Sequence, residues 1–210
     1  VITDKEYVNA TSVIVATGGI SYPLTGSTGD GYKFAKKFGH EIISPKPALV
    51  GIELHRVYDE IQGLSLKNVT LNAVVNGKKI YSEQGEMLFT HFGVSGPIVL
   101  SCSSYINDLD PKTIDLSIDF KPALDFSTLE TRLIREFTDN NLKSLSNVLP
   151  HLMPKSLVDP FLRETGLKGD KTCANVTVNE RTTIINFLKK FPLKIKKLRP
   201  IDEAIITSGG

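Results

Sequence analysis

The first strongly apolar segment of the chain is a run of valine and isoleucine at residues 12–16. No polar residue alternates with the apolar ones inside this run, which is typical of a strand buried on both faces of a parallel α/β sheet. The run ends on Thr17, Gly18 and Gly19. Glycine turns at this position let a backbone approach a ligand, although they also form ordinary tight turns. The pattern therefore predicts a buried strand followed by a glycine turn. This turn either approaches a ligand or is an ordinary tight turn.

A second glycine-rich segment, residues 26–31, precedes a helical pattern over residues 32–38. Ser27 or Thr28 is the predicted cap of this helix, and Gly39 is predicted to close it. Backbone N–H groups at a helix start are suited to holding an anion. The spacing matches neither the P-loop nor the dinucleotide fingerprint, so the segment alone is a weak signal.

From residue 45 the pattern changes, and two prolines predict the exit from one domain into another. The Asn76-Gly77 pair is a signal for a hairpin with a type I′ turn. Short strands are predicted on both sides of it, at residues 49–54, 66–75, 79–81, 87–90 and 113–120. The middle of the chain is therefore predicted to be an antiparallel, β-rich domain.

Beyond residue 122 the apolar positions recur at helical spacing, as in the face formed by Leu129, Leu133, Ile134 and Phe137. Prolines interrupt the pattern and predict a lobe of short helices. Further helices are expected at residues 142–149 and 156–162, a last helix is expected to be capped at residues 179–180, and a strand is expected at residues 193–198.

The end of the chain repeats the pattern of its beginning. Residues 204–210 resemble residues 14–19, since both are apolar runs that end in threonine and glycine. We interpret the repeat as a chain that leaves a sheet, builds an inserted domain and returns beside the first strand, with both glycine turns at one edge. Coincidence is the alternative for two such short segments.

Composition narrows the class of protein. With 210 residues, 40% hydrophobic content and a net charge of +2, the chain is predicted to be globular, and its charge gives no argument for a nucleic-acid partner. Cys102 and Cys173 are far apart, which predicts reduced thiols of an intracellular protein rather than a disulfide framework. The first residues contain no leader pattern, and no apolar run is long enough for a membrane span. We therefore expect a cytoplasmic protein.

Residues 85–97 combine three glycines with a histidine, His91, around an apolar strand. A histidine flanked by glycines is a candidate acid or base, but a histidine hydrogen-bonded within a loop fits equally well. The other histidines are scattered, so no metal site is expected.

A basic run without any acidic residue occupies residues 189–199. A solvated strand face is the first interpretation, and contact with an anionic cofactor or substrate is the second. A nucleic-acid interface is the third, because the run contains a single aromatic residue, Phe191, rather than several stacking residues interleaved with the lysines.

Taken together, several segments resemble the aminoacetone oxidase family of FAD-binding enzymes, the BaiN/YhiN-like flavoproteins. The resemblance is carried by residues 16–23, 26–32, 39–40 and 47–50, by the second signature at residues 85–97, and by a return motif at residues 207–210. These matches extend over the whole chain, and their ordered combination is more specific than any one of them.

The resemblance implies an α+β chain in which an inserted, barrel-like β-rich domain at residues 47–199, with a helical lobe at about residues 123–170, interrupts a Rossmann-like FAD domain. Residues 1–46 and the return strand at residues 200–210 would be parts of that FAD domain. The resemblance also implies flavin chemistry in which a small organic substrate gives a hydride to FAD. It places Thr17, Gly18, Gly19, Gly209 and Gly210 at the cofactor, with His91 as a candidate catalytic residue.

The chain also departs from that family. It lacks the family's amino-terminal G-x-G-x-x-G unit and its carboxyl-terminal segment, so we expect an internal fragment that binds FAD poorly and is inactive alone. A small-molecule substrate is expected, without a nucleic-acid or membrane partner, and the oligomeric state is left open. The alternative from another class is a non-catalytic inserted module for substrate access, partner docking or oligomerisation.

Overall fold

The computed structural model describes residues 1–210. Its helices and strands follow the chain in the order α1 (Asp30–Lys37), β1 (Lys46–Ala48), β2 (Ile52–Leu54), β3 (Ser65–Val75), β4 (Lys78–Thr90), β5 (Gly93–Ser95), α2 (Pro97–Ile106), β6 (Ile114–Asp119), α3 (Phe126–Asp139), α4 (Leu145–Val148), α5 (Val158–Thr165), α6 (Val178–Lys189), β7 (Phe191–Leu193), β8 (Ile195–Leu198) and β9 (Ile206–Ser208).

Seven strands form one antiparallel sheet in the order β7-β6-β3-β4-β5-β2-β8. The two edge strands, β7 and β8, follow each other in the chain with only Lys194 between them. One extended segment therefore pairs with β6 at one edge and with β2 at the other. The backbone N–H of His55 donates to the Lys194 carbonyl at 2.9 Å, which continues the pairing through the junction. This curling of a sheet toward closure is what makes the domain barrel-like.

The long hairpin β3–β4 is the centre of this sheet. Asn76 and Gly77 both have positive φ, at 50° and 77°, as a type I′ turn requires. The two predicted strands at residues 79–81 and 87–90 are in fact a single strand, β4. The polar residues between them are exposed but remain paired with β3, with Ser82 opposite Asn72 and Glu83 opposite Leu71, so they continue the strand rather than interrupt it.

A helical lobe covers the sheet, and one hydrophobic core of 40 residues extends through both. Phe161, Phe187 and Phe191 connect them, with ring centroids 6.2 to 6.4 Å apart. The predicted α+β class with a barrel-like domain and a helical lobe is confirmed. Helix α2 was not predicted, although Pro97 at its first turn and apolar residues at helical spacing are typical of a helix start.

The predicted buried strand at residues 12–16 is wrong for this structure. The segment has no strand pairing, and Val13, Ile14 and Val15 are 59%, 90% and 52% exposed. No parallel strand pair exists in the chain, and no other strand pairs with this apolar run. Its composition favours a sheet that needs neighbouring strands, and this chain supplies none.

Two predicted helix caps are also wrong. Gly29, rather than Ser27 or Thr28, precedes α1 in a left-handed conformation. Helix α6 is capped by Thr177, whose hydroxyl accepts from the Glu180 backbone while the Glu180 carboxylate accepts from the Thr177 backbone. This capping box begins two residues before the predicted cap.

The return strand β9 pairs antiparallel with β1, with Pro47 opposite Thr207. It begins two residues later than the predicted apolar run, because residues 201–203 form a 3-10 turn. The returning segment therefore lies beside the start of the barrel-like domain rather than beside residues 12–16.

Candidate functional site

The hydroxyl of Thr207 joins the two glycine turns of the chain. Its oxygen accepts hydrogen bonds from the backbone N–H groups of Ile20, at 2.9 Å, and Ser21, at 3.1 Å. The segment after Gly19 and the end of β9 are thus held together although they are 187 residues apart in the chain. The departing and returning glycine segments are neighbours, as the repeated pattern predicts.

Close contacts extend this neighbourhood to the start of α1. A Cβ atom added to Gly19 would lie 2.3 Å from Thr207 Oγ1, and one added to Gly31 would lie 2.3 Å from Thr17 Oγ1. Neither position has room for a side chain. We call residues 17–19, 29–31 and 207–210 the glycine cluster.

The C-terminal glycines complete the cluster. Gly210 donates its N–H to the Ile43 carbonyl at 2.9 Å, and a Cβ atom on Gly210 would lie 2.7 Å from the ring of Tyr32. Gly209 and Gly210 have φ values of 88° and 118°, which L-residues with side chains rarely adopt. The backbone of this turn therefore depends on glycine.

The turn at Gly18 and Gly19 leaves backbone donors available. Gly18 has a φ of 70°, and neither glycine donates its N–H to another atom of the chain. Gly18 is exposed and Gly19 half-buried. Adjacent unpaired N–H groups on a glycine turn are suited to binding an anionic group such as a phosphate.

His91 lies outside this cluster, on the loop between β4 and β5. It is exposed, its ring packs edge-on against Phe92 with centroids 5.1 Å apart, and its charge contributes to the lowered pKa of Glu203 after the larger effect of Arg199. Glu203 lies three residues before β9. The structure therefore places His91 beside the segment that leads to the glycine cluster.

Arg199 organises the surroundings of His91, and the sequence analysis did not single it out from the basic run. It donates to Glu53 at 2.7 Å, pairs with Glu203, and lies over the Phe92 ring at 4.8 Å. Hydrogen bonding to Glu203 is the main cause that raises the pKa of Arg199. A sequence signal did exist, because Arg199 directly follows a segment in which apolar and polar residues largely alternate.

The glycines of residues 85–97 have a packing role in this structure. A Cβ atom on Gly93 would lie 2.4 Å from the Ile52 carbonyl oxygen, and one on Gly96 would lie 2.9 Å from Met87 Cα. These glycines allow β5 to approach β2 and β4 closely. The motif is therefore explained in part by sheet packing.

The lysines of the basic run at residues 189–199 have different environments. Lys189 donates to the carbonyls of Lys121 and Leu124, which fixes the end of α6 against the lobe. Lys194 and Lys196 are exposed and alternate with buried Leu193 and Ile195, as a solvated strand face requires.

Neither cysteine forms a disulfide bond. Cys102 and Cys173 are free and buried, and burial raises the pKa of the Cys102 thiol to about 12. No group of three or more His, Cys, Asp or Glu side chains is arranged to hold a metal ion. The helices are too short or too polar to cross a lipid bilayer.

The fold and the site together define an α+β barrel domain whose two ends converge on a glycine cluster suited to an anionic ligand. Residues 46–206 match the family described as HI0933-like protein barrel and H2TH domain. The chain belongs to this HI0933-like family.

Three curated relatives agree with that membership. The chain is 31% identical over 202 residues to the ribosomal RNA dihydrouridine synthase of Haemophilus influenzae, covering 95% of this chain and 47% of the relative. It is 31% identical to the Escherichia coli protein of the same name, with 97% and 48% covered, and 24% identical to the 3-dehydro-bile acid delta(4,6)-reductase of Clostridium scindens, with 99% and 51% covered. The chain thus spans about half the length of these relatives. None of the three names specifies an aminoacetone oxidase.

Proposed function

We propose that this chain is the barrel-bearing part of an FAD-dependent oxidoreductase, in which the glycine cluster forms one side of the cofactor site. The observation that carries the proposal is the Thr207 hydroxyl, which holds the departing and returning glycine turns together. In this proposal residues 1–46 and 200–210 belong to the cofactor domain, and the barrel-like domain with its lobe is inserted between them.

The residues of the cluster fit a dinucleotide cofactor. The unpaired N–H groups of Gly18 and Gly19 offer donors to a pyrophosphate, and the absence of side chains allows its close approach. Asp30 adds a negative charge at the start of α1, and its pKa is lowered mainly by its hydrogen bond to Lys33. The turn at Gly18 is therefore a better phosphate site than the helix terminus.

The names of the relatives favour reduction of a substrate double bond. Forming a dihydrouridine from a uridine requires addition of one hydride and one proton across a carbon–carbon bond, and a delta(4,6)-reductase acts on double bonds as well. When bound, reduced FAD would supply the hydride, and its two-electron oxidation would balance the reduction of the substrate. In this proposal the hydride passes from flavin to substrate, which is opposite to the direction expected from the sequence resemblance.

His91 is the residue of this chain that we propose as the proton donor to the other carbon. Its exposure leaves it open to a substrate, and it is close enough to Glu203 for the two side chains to interact electrostatically. Arg199 would act as a positioning residue, because it fixes both Glu203 and Phe92.

Two other functions remain as alternatives. An oxidase of the aminoacetone type would use the same cofactor site with a small-molecule substrate, in agreement with the sequence resemblance. A non-catalytic module for docking or substrate access would need no cofactor at all. A measurement of flavin binding distinguishes the non-catalytic module, which needs no flavin, from the two enzymes, which require it.

The test is flavin retention in the protein at the full length of its relatives. We expect the purified long form to contain FAD, identified by mass spectrometry, and Gly18→Val to lose most of it, because a β-branched side chain crowds the phosphate site. The 210-residue chain alone is expected to retain little flavin, since an incomplete site loses most of its contacts.

Gly166→Val is the matched control. Gly166 has a φ of 71°, close to the 70° of Gly18, but it lies at the end of α5 in the helical lobe with open space around it. Both variants thus carry the same backbone strain. A Gly18→Val protein that retains full flavin, or a long form that never contains flavin, would contradict the proposal.

A further inference from the structure

A groove of about 580 Å³ lies along the segment that closes the barrel-like sheet. Its walls come from β6, the end of α6, β7 and β8, and from the turn before β6. We call it the basic groove, and define it by His55, Lys112, Ser117, Phe187, Lys190 and Lys194 among its lining residues. None of these residues has a role in the function proposed above.

Three lysines of this groove are not neutralised by the protein. Lys112, Lys190 and Lys194 are exposed and form no ion pair, whereas Lys189, Lys196 and Lys197 of the same basic run each face a carboxylate. The groove contains one acidic residue, Asp115. Lysines without an ionic partner meet here from two parts of the chain, the turn before β6 and residues 190–194, which favours an anionic ligand.

The floor of the groove adds an aromatic ring and a hydroxyl. Phe187 lines it, and so does Ser117, which is only 3% exposed. The chain has two other buried polar side chains, and both are engaged internally: Glu53 accepts from Arg199, and Ser103 donates to the Leu100 carbonyl. A charged rim with an aromatic ring and a hydroxyl beneath it is suited to a ligand that has both phosphates and bases.

The groove continues toward the glycine cluster. A neighbouring cavity of about 210 Å³ shares Pro111, Ile114 and Ile195 with it and extends to Pro47 and Lys197. Pro47 is paired with Thr207 across β1 and β9. A polymer that lay in the groove would therefore be led toward the site at which we place the cofactor.

We propose that the basic groove binds the phosphodiester backbone of a single-stranded RNA and presents it to the cofactor site. This inference is built on the proposed function, because two of the relatives are named for action on ribosomal RNA. It departs from the sequence-based expectation of no nucleic-acid partner. That expectation rested in part on the lack of aromatic residues interleaved with the lysines of residues 189–199. The single aromatic residue of that run, Phe191, is buried, and the fold supplies Phe187 from outside the run.

The test measures the binding of a fluorescein-labelled single-stranded RNA of about 12 nucleotides to the 210-residue chain by fluorescence anisotropy. The groove variant combines Lys112→Glu, Lys190→Glu and Lys194→Glu. We expect it to bind at least roughly tenfold more weakly at low salt, and the slope of log Kd against log salt to fall by about 2, as the loss of three phosphate contacts predicts.

The matched control combines Lys143→Glu, Lys155→Glu and Lys168→Glu, which are exposed lysines of the helical lobe. It carries the same change in net charge and should keep most of the affinity. Thermal melts by circular dichroism should agree for both variants, and a Lys→Gln series at the same positions supplies a second test if a Glu variant melts early.

Three results would overturn the inference: no RNA binding by the unmodified chain at low salt, an equal loss in the groove and control variants, or equal affinity for single-stranded DNA of the same sequence. The measurement requires no flavin. Its failure would therefore leave the flavin content of the long form, which tests the proposed function, unaffected.

Discussion

Glu53 is a carboxylate that the barrel-like domain holds almost out of solvent, at 7% exposure. Arg199 donates to it at 2.7 Å, while the ammonium groups of Lys197 and Lys196 lie 3.5 and 4.0 Å away. Burial of a charge is costly unless a partner is in hydrogen-bonding contact. Among these cations only Arg199 is itself half-buried, so it is the main partner of the carboxylate.

Replacing Arg199 with methionine is expected to lower the free energy of unfolding by roughly 2 to 3 kcal/mol, because it leaves the Glu53 carboxylate without its hydrogen-bonded partner. Urea unfolding measures this change. Lys196→Met is the control, since it removes an exposed cation that faces the same carboxylate and should cost less than about 0.5 kcal/mol. Similar losses in the two variants would show that Arg199 has no special part in holding Glu53.

At the scale of elements, the start of α6 shows how local chemistry fixes a boundary. The Glu180 carboxylate accepts from the backbone of Thr177 and pairs with Lys171 at 2.7 Å. Its hydrogen bonds, with Lys171 the largest cause, lower its pKa from 4.5 to about 2. A capping box with an added ion pair therefore defines the first turn of the helix that leads into the barrel closure.

The lowered pKa of Glu180 predicts a pH dependence of stability. The contribution of the ionised carboxylate is complete above the unfolded pKa of 4.5 and is lost as the pH falls toward the folded value of about 2. Melting temperatures of the unmodified chain and of Glu180→Gln should therefore differ most near neutral pH and converge as the pH falls below 4.5. A difference that stays constant over this range would remove Glu180 from the acid response.

At the scale of the whole molecule, the buried hydrophobic side chains are confined to one part of the chain. All of them lie between Ala48 and Ala204, and the core cluster extends from Ile52 to Ile195. Residues 1–45 instead expose Val13, Ile14 and Phe38. The free energy of folding therefore arises almost entirely from the barrel-like domain and its lobe.

A chain reduced to residues 46–206 is thus expected to fold alone and to melt cooperatively within about 4 °C of the complete chain. Circular dichroism melts of both forms measure this. Limited proteolysis of the complete chain should first remove the segment before Lys46. Loss of cooperative melting in the shortened form would mean that the first 45 residues complete the core.

The sequence predictions that were confirmed are those that depend on interactions within a short segment. Strand β3, the turn at Asn76 and Gly77, and the face of α3 formed by Leu129, Leu133 and Phe137 follow from periodicity and turn chemistry, which act over a few residues. Ile134, predicted to lie on the same face, is exposed. The strand predicted at residues 12–16 is wrong because a strand needs a paired neighbour, and no other segment of this chain pairs with these residues. Two predicted strands are one strand, β4, because the exposed polar residues between them resemble a break in the sequence but pair with β3 in the structure.

Some residues of the candidate site were also indicated by the sequence, whereas the contacts between them were found only in the structure. The glycine turns in the sequence indicated Gly18, Gly19, Gly209 and Gly210, because glycine is the residue that a positive φ or a close backbone approach requires. Thr17 was added by the family resemblance. Nothing in the sequence connected Thr207 with Ile20, Arg199 with Glu53, or Lys112 with Lys194. These pairs come together only when distant segments of the chain meet. The residue type of a lysine or serine does not show whether its side chain will face a groove.

The sequence by itself thus determined the α+β class, the hairpin, the helical lobe and the glycine positions, because local conformational preference and apolar periodicity are properties of short segments. The tertiary structure alone decided that the closing segment joins both sheet edges, that the two glycine turns share the Thr207 hydroxyl, and that unpaired lysines converge on one groove. Each of these depends on contacts between residues far apart in the chain, whose geometry is set by the packing of the whole core.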